Sequence, residues 1–75
     1  MTENKVPPTT TEVPLTVVTV LRGGGHLTFQ TVCANERESA VAAGTHLHVR
    51  RVHYGARVSK FVVISDDAVT VQEVE

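Results

Sequence analysis

The residues of this chain most able to do chemistry are four histidines, one cysteine and a run of cations, and most of them share one stretch. From Gly44 to Ser65 the sequence reads GTHLHVRRVHYGARVSKFVVIS, which holds His46, His48, His53, Arg50, Arg51, Arg57 and Lys60 and no acid. If that stretch is extended, His46-x-His48 projects two imidazoles from one strand face, a spacing that zinc sites use. The third ligand would be His26, Cys33 or His53. No pair of close cysteines and no carboxylate accompanies the two imidazoles, so a solvated strand face accounts for them as well. Metal binding through His46 and His48 is therefore an alternative reading, and no cofactor is expected.

Nucleophilic chemistry has less support. Cys33 lies among Phe29, Val32 and Ala34, a setting that predicts a buried, inert thiol. Glu36, Glu38, Asp66 and Asp67 stand where helix capping and turn solvation explain them. Gly23-Gly24-Gly25 carries neither phosphate-loop nor dinucleotide spacing, and no helix follows it. These absences point away from an enzyme and toward binding.

Arg50, Arg51, Tyr54, Arg57 and Lys60 form the candidate binding set. In the preferred reading they meet a protein partner or a second copy of the chain. The alternative is nucleic acid, with the cations on phosphates and Tyr54, Phe29 or a histidine stacked on bases. Against that alternative stand a net charge of −1 and only three aromatic side chains. The acidic segment Asp66, Asp67, Glu73 and Glu75 offers a further explanation, an internal strand that neutralises the basic one.

These residues need elements to position them. Leu15 to Arg22, LTVVTVLR, reads as a first strand with apolar groups on both faces, and His26 to Ala34 returns as a second after the glycine turn. In the second, Leu27, Phe29, Thr31 and Cys33 face one way. Asn35 and Glu38 signal a helix start and Gly44 a stop, which predicts a helix of about two turns docked through Ala40, Val41 and Ala43. Thr45 to His53 alternates as a third strand, with a bulge at Arg50-Arg51 to reconcile Leu47 and Val49 with Val52 and Tyr54. A turn over residues 53–56 leads to a fourth strand, Arg57 to Ser65, whose block Phe61-Val62-Val63-Ile64 reads as core. Ala68 to Val74 closes the chain as a fifth, with Val69 and Val71 inward and Thr70 and Gln72 outward.

The fold class expected is mainly β, a small α+β domain: a five-stranded, mostly antiparallel sheet or small barrel of the OB or SH3-like kind, with one short helix after the second strand. The alternative is a β-grasp-like sheet with the helix across one face. The run Ala43-Gly44-Thr45-x-Leu47-x-Val49-x-x-Val52 resembles the start of a strand in NfeD-type OB domains, but ten residues of alternating pattern assign the chain to no family. Residues 1–14, with three prolines and no apolar periodicity, read as a disordered Thr/Pro-rich tail. Residues 15–75 make one small domain whose thin core favours self-association. With no long apolar run and a single cysteine, the chain is expected to be cytoplasmic and to have no membrane partner.

Overall fold

The computed structural model describes residues 12–74. Four strands, β1 (Val13–Leu21), β2 (His26–Cys33), β3 (Val58–Ser65) and β4 (Ala68–Glu73), form an open sheet in the order β2-β1-β3-β4. Every neighbouring pair is antiparallel. A single helix, α1 (Glu36–Tyr54), crosses from β2 to β3 and leads into a 3-10 turn, Gly55–Arg57. The protein is thus a small α+β fold, with four strands rather than five and an open sheet rather than a barrel.

Helix α1 accounts for both differences. Its start is as the sequence predicts: the Asn35 side chain accepts a 2.8 Å bond from the Glu38 amide. The Glu38 carboxylate reaches back to the Ala34 amide at 2.7 Å, one residue before the cap. The helix does not stop at Gly44. It runs 19 residues to Gly55, whose φ of 53° glycine adopts without strain and whose amide donates to the Arg51 carbonyl. Thr45 to His53, expected as the third strand, is the second half of this helix, so neither the hairpin over residues 44–65 nor the bulge at Arg50-Arg51 exists. The resemblance to an OB-domain strand falls with it.

One sheet face takes the helix. Val13, Leu15, Val17 and Thr19 of β1 are buried there, with Cys33 of β2 and Val58 and Phe61 of β3. Leu47 of the helix seats on this cluster, flanked by Phe29, Ala42, Ala43, Tyr54 and Val63. Val58 and Phe61 both point inward although three residues apart, because the β1–β3 register shifts where Val20 pairs Lys60 and Leu21 pairs Val58. The bulge lies here, at Ser59. A polar tie joins helix to sheet, Ser39 Oγ to Ser65 Oγ at 2.9 Å. Arg22 closes the far end, donating from Nε to the Ala56 carbonyl and from Nη2 to the Val74 carbonyl.

The expected tail lies mostly outside the described residues. Its last two positions belong to the sheet, where Val13 pairs Cys33 and Pro14 pairs Val32. Val13 is buried. Pro14 fits despite its missing amide, since its carbonyl accepts from the Asp66 amide at 2.8 Å.

Candidate functional site

Two surfaces emerge from this architecture, and the sequence motifs mark only one. The first is a column of flat side chains along one flank of α1. Residues four apart share a helix face, which brings His46, Arg50 and Tyr54 into line. The His46 ring stacks on Phe29 of β2, with centroids 4.2 Å apart and planes 17° from parallel. Arg50 Nε donates to His46 Nε2 at 3.1 Å. Arg50 and Arg57 each set a guanidinium over the Tyr54 ring, 5.9 and 5.7 Å from its centroid. Burial, and secondarily the Arg50 charge, hold the His46 pKa below its ordinary value. The imidazole is therefore the neutral acceptor that the Arg50 bond requires.

The expected binding set is divided by the fold. Arg50, Tyr54 and Arg57 meet in the column. Arg51, one helical step on, turns to the other flank and lines an open groove of about 480 Å³ with Gly44, Leu47, His48, Val52 and Gln72. Lys60 lies on the opposite sheet face, across from Glu73 of β4. His46 and His48 also diverge, because two residues on a helix are about 200° apart rather than on one face. Among the described residues no three metal-ligating side chains come together. Cys33 is buried, as its apolar setting predicts.

The second surface is the sheet face that α1 does not cover. The strand register puts Val18 beside Val62, Val62 beside Val71, and Thr16 in line with Ile64 and Val69. With Val20 these make an apolar patch across three strands, polar only at its margins. Val69 and Val71 are 63% and 53% exposed. This reverses the expected facing of β4: its valines point away from the helix, and Thr70 and Gln72 lie on the helix side. Ile64, expected in the core, belongs to this patch as well. The sequence carried a signal for the patch in the apolar residues on both faces of β1 and β3, which one helix cannot cover.

Among the described residues, no helix is long and apolar enough to cross a membrane. No protein-family model matches the chain, and neither a curated protein nor a solved structure similar to it was found.

Proposed function

We propose that the protein is a non-enzymatic interaction module that self-associates through its uncovered sheet face. The observation that carries this reading is the patch Val18, Val20, Val62, Ile64, Val69 and Val71, six aliphatic side chains on one face, of which Val69 and Val71 are exposed and the other four half-buried among the described residues. Contiguous apolar surface of this kind marks an interaction site. Area and charge favour a second copy as the occupant. Four strands at about 4.8 Å and six to nine residues at about 3.3 Å give a footprint of about 500 Å² per copy. Two copies reach the roughly 1,000 Å² that a specific interface requires, provided the whole face is used. Within the strands this face carries one cation, Lys60, and one carboxylate, Glu73, so like faces meet without net repulsion. Two sheets packed this way form a sandwich with both helices outside.

The test is solution mass. The wild-type protein should sediment at twice its 8.1 kDa chain mass, and Val71→Asp, at an exposed edge position, should return it to the monomer while keeping its circular dichroism. A wild-type protein that stays monomeric at millimolar concentration would rule the reading out.

A further inference from the structure

The column on α1 has more positive charge than the fold uses. Cations near a helix C-terminus are stabilised by a dipole equivalent to about half a charge. Arg50 and Arg57 in the column, with Arg51 on the other flank, bring three. Among the described residues the acids that could balance them are elsewhere: Glu12 precedes β1, and Glu36 and Glu38 occupy the first helical turn. Glu38 is about 18 Å along the axis from Arg50, beyond the roughly 8 Å over which exposed charges act at physiological salt. Glu73 faces Lys60 on the other side of the sheet. Asp66 and Asp67 sit in the β3–β4 turn. Arg50 spends one donor on His46, a neutral acceptor. Among the described residues, no group accepts a hydrogen bond from the Arg57 guanidinium, and no carboxylate pairs with Arg50 or Arg57.

The planar geometry narrows what such a surface would take. Phe29, His46, Arg50, Tyr54 and Arg57 succeed one another as flat groups, and the column ends at Arg57, an exposed guanidinium held against the Tyr54 ring. A guanidinium plane is a surface on which an unpaired base stacks, and its edge donors match phosphate oxygens. A duplex offers its bases only by their edges. We propose that the α1 flank binds single-stranded nucleic acid, with one base stacked on Arg57 and the adjoining phosphates on Arg50 and Arg57. The site lies on the helix side, away from the uncovered sheet face, so it stands independently of self-association; a sandwich dimer would carry two copies of it.

The test is fluorescence anisotropy with a fluorescein-labelled 15-residue oligodeoxythymidine, titrated at several salt concentrations. Single-strand binding falls with salt with a log–log slope of about −0.7 per phosphate engaged. Arg57→Gln should weaken binding about tenfold at low salt and make the slope shallower by about 0.7, and Arg50→Gln should do likewise. Arg57→Lys should keep the slope but lose affinity, since it keeps the charge and loses the plane. Lys60→Gln, on the opposite face, should change neither. The proposal is overturned if the oligonucleotide does not bind at 50 mM salt. It is equally overturned if Arg57→Lys binds as wild type, or if Lys60→Gln loses as much as Arg57→Gln. Arg57 is exposed, so a loss there with an unchanged melting curve is not an effect on folding.

Discussion

Thr19 shows most simply how one atom matters in a small core. It is fully buried on the helix-facing side of β1, and among the described residues its hydroxyl has no partner. An unpaired buried hydroxyl costs about 1–3 kcal/mol, whereas the near-isosteric valine leaves nothing unpaired. Thr19→Val should therefore raise the free energy of unfolding by about 1 kcal/mol in urea denaturation. His46 adds a pH dependence. Its folded pKa is depressed, so the unfolded chain binds its proton more readily. Its contribution to stability is complete above the unfolded value of about 6.5 and is lost as the pH falls through the folded one. Wild type should lose more stability than His46→Gln between pH 7 and pH 5; parallel profiles would show that the ring does not titrate against Arg50. Phe61 is the largest fully buried side chain. Phe61→Ala should cost about 3–5 kcal/mol and leave little folded protein at room temperature.

At the scale of elements, α1 carries the lesson. Gly44 lies in its middle, and a methyl group there would meet nothing within 4 Å. Gly44→Ala should thus stabilise the fold by about 1 kcal/mol through helix propensity and a less free unfolded chain. At Gly55, where φ is 53°, alanine should destabilise instead. Comparing the two melting temperatures checks both. Strands β1, β2 and β3, the Asn35 cap, the buried thiol and the β3–β4 turn were all legible, because β-branched runs and capping residues act locally. The second half of the helix was not. Its inward positions hold His46, Arg50 and Tyr54 alongside Leu47, so stacking and cation–π contacts replace the apolar stripe by which a helix is recognised. Leu47 and Val49 alternate with polar residues in the meantime, which reads as a strand. Only packing against Phe29, far away in sequence, decides between the two. The facing of β4 was hidden for a related reason: six residues that are exposed throughout carry no burial signal of their own.

At the scale of the whole molecule, the described residues form a sheet with one helix for two faces. That imbalance, rather than any motif, underlies the proposed self-association, whereas the cations first suggested as the interface separate because Arg50 and Arg51 are successive residues of a helix and Lys60 lies on β3. The helix offers a competing apolar surface in Val41, Val49 and Val52, which are 63%, 39% and 67% exposed. The most direct measurement is an isotope-filtered NMR experiment on a mixture of labelled and unlabelled chains, which detects only contacts between copies. Intermolecular methyl contacts should fall among Val18, Val62, Ile64, Val69 and Val71. Contacts confined to Val41, Val49 and Val52, or none at concentrations where the wild-type mass is that of a dimer, would contradict the sheet-face account.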